Sequence, residues 1–329
     1  MRRIKILGMV VLFSLSLCLS SVRGLITKEP VTFYSGIIRV DNEGDGDYTT
    51  IIEALNNANP GDTIEVYSGT YFERGINVEK EGITFQGVSY ELGSGNDTGI
   101  PFIDGEGKDG VFQFDAKNIT IDNFHIENGG GTAAYTILTL TDKSNGCIIS
   151  NNYLNHSISA LIWIKGSNNK IINNNVNHSV THSGIGLRSP CSNCIVSGNN
   201  ISYVEDGIKL WDSNHNTVTG NRVNNCSRFG IETSSSSHVE GNSIEDNYIG
   251  IFMYGGFNNH IKNNNFINNE IDVKFIFDLP FILSIITNRF NGNYWDDWIG
   301  FGPKLIHGVL LFIPWVEIDW HPAKEPYEI

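Results

Sequence analysis

The stretch "HIKNNNFINNE", residues 260–270, holds five asparagines within seven positions. Asparagine suits neither helix nor strand interiors, yet here it is interleaved with Ile and Phe. Two readings compete: a disordered Asn-rich tract, or a structural position that recurs. Clusters of the same kind stand at "IINNNVNHS" (171–179) and "VSGNNISY" (196–203). Aligned on the pattern apolar-x-x-Asn-x-apolar, a series emerges: "ITIDNF" (119–124), "ISNNYL" (149–154), "IINNNV" (171–176), "VSGNNI" (196–201), "VTGNRV" (218–223), "VEGNSI" (239–244), "IKNNNF" (261–266) and "IITNRF" (285–290). The fourth position is Asp122, then Asn152, Asn174, Asn199, Asn221, Asn242, Asn264 and Asn288, at steps of 30, 22, 25, 22, 21, 22 and 24 residues. A disordered tract would not keep that period.

About ten residues before each Asn lies a second apolar-alternating run: "ALIWIK", "GIGLRS", "GIKLWD", "GIETSS", "GIFMYG". Alternation of this kind is a strand signal, and no segment of the repeat has helical period. Short strands joined by Gly-, Asn- and Ser-rich turns and stacked once per coil make a parallel β-helix. The right-handed rule for parallel crossovers sets its hand. Asn tolerates the left-handed turn conformation, and its amide can pair with the same amide one coil away. The Asn column is therefore read as architecture. "YTTIIEALNNANPGD" (48–62) carries Ile51, Ile52, Leu55 and Ala58 at helical spacing, which predicts a short helix with Ile52 and Leu55 on the first coil. Such a cap shields strand edges that would otherwise recruit other chains. After residue 290 the period stops, and the tail carries four of the six Trp. The expected fold is all-β: a single-stranded right-handed parallel β-helix with a short N-terminal capping helix and an irregular C-terminal tail. Its expected parts are residues 1–24 as a signal peptide or N-terminal anchor, 36–290 as the capped β-helix, and 291–329 as the Trp-rich capping tail.

Length and 40% hydrophobic content allow a sizeable core. The formal net charge is −14, which argues against nucleic acid as a partner. Arg2, Arg3 and Lys5 precede "ILGMVVLFSLSLCLSS", an export signal pattern. The expected location is secreted, periplasmic or cell-surface, and the expected state is a monomer. Beyond the leader stand Cys147, Cys191, Cys194 and Cys226; a local Cys191–Cys194 bridge is preferred to buried free thiols. Sequons at Asn155, Asn177, Asn200 and Asn225 are expected on one turn column.

Three segments carry a resemblance. "DGDYTTIIEALNNANPGDTIEVYSGTYFE" resembles the N-terminal segment shared by NosD-like proteins and pectinesterases. "FIDGEGKDGVFQFDAKNITIDNFHIENGG" resembles the first full coil of NosD-like right-handed β-helix proteins. "NGNYWDDWIG" resembles the Asn-Tyr-Trp-Asp-Asp tail of archaeal members, although "FGPKLIHGVLLF" stands where an acidic Gly-Asp-Gly stretch follows in the common form. The wider fold group includes pectate lyases, pectinesterases, polygalacturonases and alginate epimerases, so the resemblance implies a carbohydrate-related role. It does not supply a reaction. The pectinesterase Asp-Phe-Ile-Phe-Gly and epimerase Asp-Pro-His-Asp motifs are absent. NosD is linked to copper-site maturation, but this chain has three Met and no Met-rich or His-rich run.

Setting Ile162, Ile185, Ile208, Ile231 and Ile251 in register stacks the outward residues beside them. One outward column reads Trp163, Gly186, Lys209, Glu232, Phe252; the next reads Lys165, Arg188, Trp211, Ser234, Tyr254. Aromatic faces pack on sugar rings, and cations pair with carboxylates or sulfates. Trp163, Lys165, Arg188, Lys209, Trp211 and Tyr254 are accordingly the candidate polysaccharide contacts; the competing reading is an ordinary solvated face with an aromatic ladder. A third column, Ser159, His182, Glu205, Arg228, Tyr248, lies beside Asp206. His182, Glu205 and Asp206 are the candidates for lyase, hydrolase or epimerase chemistry; the competing reading is a salt-bridge ladder through Glu205 and Arg228. No cofactor or metal ligand set is assigned. Calcium is the one ion in view, at "VDNEGDGDY" (40–48), which lacks the spacing and closing Glu of an EF-hand and is read as a polar turn. The other readings are a surface scaffold and a NosD-like copper-related periplasmic protein.

Overall fold

The computed structural model describes residues 36–130, 136–179, 181–277, 288–310 and 312–329; the expected leader, residues 1–24, lies outside them. The chain winds as a right-handed parallel β-helix with three strand faces. The repeat read from the sequence offers two strands per coil, and the structure adds a third. Its first face holds strands such as Lys170–Ile172 and Ile195–Ser197. Its second is a ten-stranded sheet containing Asn175–Ser179 and Asn200–Ser202. The third holds Ile162–Ile164, Ile185–Arg188, Asp206–Trp211, Phe229–Thr233 and Ile249–Tyr254. Inward residues form one apolar core running through all coils, including Ile171, Val196, Ile201, Ile208 and Ile231.

The Asn column sits at the corner between the first and second faces. Asn152, Asn174, Asn199, Asn221, Asn242, Asn264 and Asn293 are buried there. Each side-chain Nδ2 donates to the next Oδ1 at 2.9–3.1 Å. Each of those Oδ1 atoms also accepts the backbone N–H of the preceding Asn. The residue before each ladder Asn takes the left-handed conformation: Asn151 (φ 55), Asn173 (φ 56), Gly198 (φ 66), Gly220 (φ 63), Gly241 (φ 67), Asn263 (φ 53) and Gly292 (φ 71). Only Gly and Asn visit that region at small cost. The Asn-Asn doublets thus answer to two adjacent demands, one conformational and one hydrogen-bonding.

The two ends of the aligned series need correction. Asp122 pairs in register with Ser150, and Phe124 occupies the ladder position of the coil before Asn152. At the far end Ile261 pairs with Phe290, so "FNGNYW" (290–295) continues the series and Asn293 is its member. Asn288 instead belongs to a second corner, accepting from the Asn259 N–H at 2.8 Å. Asn169, Asn216 and Asn259 accept main-chain N–H groups at that same corner. Both corners place an Asn shortly before an apolar residue, so the six-residue pattern alone does not separate them. Cys191 and Cys194 are buried free thiols with Sγ atoms 3.0 Å apart, and the expected bridge is not formed. Nor do the sequons share a column: Asn155 and Asn177 are buried partners, Asn200 pairs with Asn175, and Asn225 lies one residue past the Ser202–Asn224 pair.

The helix Ile51–Asn57 buries Ile51, Ala54 and Leu55, while Ile52, expected on the coil, faces outward. Thr50 accepts the Glu53 N–H, and the buried Glu73 carboxylate accepts those of Ile51 and Ile52. Lys80 donates to the carbonyls of Leu55, Asn56 and Ala58 at the other end. Both charges oppose the helix dipole ends and fix a helix too short to persist alone. At the C-terminus, the tail contains the short strand Tyr294–Trp295 and an antiparallel hairpin of Lys304–Leu310 and Ile313–Asp319. Trp295 stacks on Phe266 with centroids 4.3 Å apart. The last ladder member, Asn293, has two donors to satisfy, and buried Asp319 accepts both at 3.0 Å. A carboxylate, acceptor-only, is the fitting terminus for a ladder with that polarity.

Two predictions follow from these contacts. Asn221→Leu leaves Asn199 without its acceptor and should cost roughly 1–3 kcal/mol in urea unfolding. Burial pushes Glu317 and Asp272 up, each to about 7. Their folded-state values exceed the unfolded ones, so the stability they give is complete in acid and is lost as pH rises through about 7. The protein should therefore melt higher at about pH 5.5 than at about pH 8. Glu317→Gln, neutral at both, should remove part of that difference, on the order of 1–3 kcal/mol.

Candidate functional site

The third face carries the expected columns in the expected register. Ile162, Ile185, Ile208, Ile231 and Ile251 pair successively, which aligns Trp163, Gly186, Lys209, Glu232 and Phe252 beside them. Arg188 pairs with Trp211 one residue past the inward leucines. Lys165, Arg188, Trp211 and Tyr254 are exposed, whereas Trp163 and Lys209 are half-buried. Gly186 matters here: a Cβ on it would stand 2.5 Å from Trp163 Cε3. The glycine lets the indole lie against the backbone of the next coil.

The charges on this face divide into two sets. Asp206, 1% exposed, receives the Arg228 guanidinium on both oxygens. Lys209 Nζ lies 3.2 Å from Asp206 and 3.0 Å from Glu232. Arg228 also reaches Glu205 at 3.2 Å. Burial pushes the Glu232 carboxyl up, against the pull of Lys209; the Asp206 hydrogen bond raises the Arg228 guanidinium, against burial. These five groups, three carboxylates and two cations, form one ion-pair network. Arg188 and Lys165 stand outside that network, and among the described residues neither has an ion-pair partner. The Arg188 guanidinium instead lies 4.6 Å from the Trp211 ring centroid, and Lys209 approaches the same ring at 5.2 Å. Beyond Trp211 the surface dips into an open depression of about 570 Å³, lined by Asp212, His215, Ser235, Tyr254 and Phe257 among others.

Of the three candidate catalytic residues, Glu205 and Asp206 are brought together through Arg228, as in the salt-bridge reading. Exposed His182 has its Nδ1 2.9 Å from Thr181 Oγ1. Among the described residues no hydrogen bond or ion pair joins it to either carboxylate.

A second surface escaped the sequence reading. His156, His178 and Tyr203 stack in succession at the outer end of the second face, centroids 5.2 Å apart and ring planes nearly parallel. Each is held in the left-handed conformation (φ 52, 57 and 54). They flank a second depression of about 510 Å³. The signal was present: the steps from His156 to His178 to Tyr203 match those of the Asn column.

Removing Asp206 should separate structural from solvent-facing charge. Asp206→Ala strands Arg228 and Lys209 and should cost about 3 kcal/mol, the low end for a broken buried pair because Arg228 is partly exposed. Arg188→Ala should change urea stability by less than about 0.5 kcal/mol.

Comparison with known proteins follows the fold. Residues 136–290 match the family model described as right handed beta helix region. No match is found among curated proteins. Among solved structures, the complex of XylC with xylose aligns with TM-score 0.58 at 12% identity, over 87% of this chain and 73% of that one. A PL6 family alginate lyase, AlyGC, aligns at 0.55 and 14%, over 78% of this chain but 38% of the lyase. Pectate lyase Pel9A aligns at 0.50 and 12%, over 74% and 75%. At such identities the likeness is one of fold, and in fold the chain is a right-handed parallel β-helix.

Proposed function

We propose that this is an exported β-helix protein that recognises an extracellular or cell-surface polysaccharide, an acidic one, on its third strand face. The observation that carries the reading is the exposed Arg188–Trp211 pair, with Lys165 beside it, on a chain of net charge −14. Arg188 and Lys165 stand outside the ion-pair network around Asp206, and their charges face outward. Stacked Trp and Arg offer a sugar ring an apolar platform and a uronate or sulfate a forked donor. The structural neighbours named for alginate and pectate lyases support a polysaccharide partner. The NosD-like, archaeal-type resemblance and the Arg2–Ser21 leader pattern support export. Acidity argues against nucleic acid, and the capped ends favour a monomer.

An enzymatic reading has a weaker footing. Asp206 is closed off by Arg228 and Lys209, so turnover would fall to Glu205, His182 or a group not yet singled out. Titration of the protein with alginate and polygalacturonate tests both readings. Trp211→Ala should weaken binding by roughly 1–3 kcal/mol at every salt concentration, since apolar contact is not screened. Arg188→Ala should weaken it strongly at low salt and little at high salt. Binding without new reducing ends or unsaturated uronates supports a recognition protein. Product formation would make it an enzyme, and wild-type affinity in both variants would remove the site from this face.

A further inference from the structure

The polar turn "DNEGDGD" (41–47), between the first strand and the capping helix, meets the loop "ELGSGND" (91–97), which follows the strand two levels further along the stack. Asp45 Oδ2 accepts the Ser94 N–H at 3.0 Å, which ties the loops together. Carboxylate oxygens of Glu43, Glu91 and Asp97 lie within 4.8 Å of one another. Such a cluster alone would be unremarkable on an acidic surface. The second observation lies beneath it. Asp41 is fully buried; its Oδ2 accepts the N–H groups of Gly44 and Asp45, but its Oδ1 has no donor. Glu91 Oε1 and Asn42 Oδ1 are likewise buried without a donor. Burial, and next the Asp41 carboxylate standing against it, raise the Glu91 carboxyl. Among the described residues no Lys or Arg pairs with Asp41, Glu43, Glu91 or Asp97.

The backbone is shaped around these groups. A Cβ on Gly95 would fall 1.9 Å from Glu43 Oε2 and 2.6 Å from Glu91 Cδ. A Cβ on Gly93 would fall 2.1 Å from Asp45 Oδ2. Buried acceptors without donors, packed against like charges, cost free energy unless a cation or proton joins them. We propose that Asp41, Glu43, Glu91 and Asp97 form a calcium site that staples the N-terminal cap to the coil two levels further on. An all-oxygen, carboxylate-rich set on two irregular loops suits the large, flexible coordination sphere of calcium better than the strict octahedron of magnesium. The site lies in the N-terminal loops, away from the proposed glycan contacts, so it stands or falls independently of them.

The test is titration of the chelator-stripped full chain with calcium chloride, followed by calorimetry and by melting. The expected result is one ion per chain and a melting temperature about 5 °C higher at saturation. Glu91→Gln should raise Kd at least roughly tenfold and abolish most of the melting gain. If that variant fails to fold, Asp97→Asn should show the same loss of affinity. No heat and no melting shift at about 10 mM calcium chloride would overturn the site. Wild-type affinity in the folded variant would overturn it too, as would a Glu91→Gln protein more stable than a wild type indifferent to calcium, the mark of a shared proton.

Discussion

A buried side-chain amide brings two donors and an acceptor out of water, and its own coil cannot satisfy them. In this protein the coils above and below do. Each ladder Asn passes its carbonyl oxygen to two N–H groups of the preceding coil and its own Nδ2 to the next coil's carbonyl. The ladder has direction, and both ends are finished accordingly: the Phe124 N–H donates into the first Asn, and the Asp319 carboxylate receives the last. A slip of one residue in any coil would strand buried polar atoms at about 1–3 kcal/mol apiece and turn the apolar row outward. Apolar packing makes the cylinder stable; the ladder makes its register unique.

That register is what allows residues twenty or more positions apart to act together. Arg188 lies over Trp211, and Trp163 lies against Gly186, because their coils cannot shift relative to each other. The same geometry concentrates charge. Five ionisable groups close on one another around Asp206, while Arg188 and Lys165 stay outside that network. The Glu205–Arg228 contact belongs to that inner network, and the polysaccharide reading needs only the outer pair.

Much of this was legible in the sequence, for a physical reason. A solenoid repeats one environment, so inward Ile, outward polar residue and corner Asn recur at nearly fixed steps, and the third-face register followed directly. The errors fell where periodicity gives no constraint. Asp122 and Asn288 fit the six-residue pattern but sit at other positions, because two corners of each coil share it. Ile51, Ala54, Leu55 and Ala58 make the full i, i+3, i+4, i+7 stripe, and Ile52 stands one position off it, which is why Ile51 and not Ile52 is buried. The division of cations into paired and unpaired could not be read from columns, since it depends on where long side chains reach. The His156–His178–Tyr203 stack was legible but was passed over, because sequence patterns draw attention to strands before turns.

The central claim is that buried amide ladders, rather than apolar packing alone, lock the coil register. Backbone hydrogen exchange at Asn174, Asn199, Asn221 and Asn242 tests it most directly, in the wild-type protein and in Asp319→Leu, which removes the terminal acceptor. The account predicts that these four amides are among the slowest to exchange in the wild type. In the variant, protection should be lost first at Asn293 and Asn264 and then at successive coils. Ladder amides exchanging as fast as those of exposed bends such as Gly300 and Gly302, or a variant whose loss stops at Asn293, would contradict it.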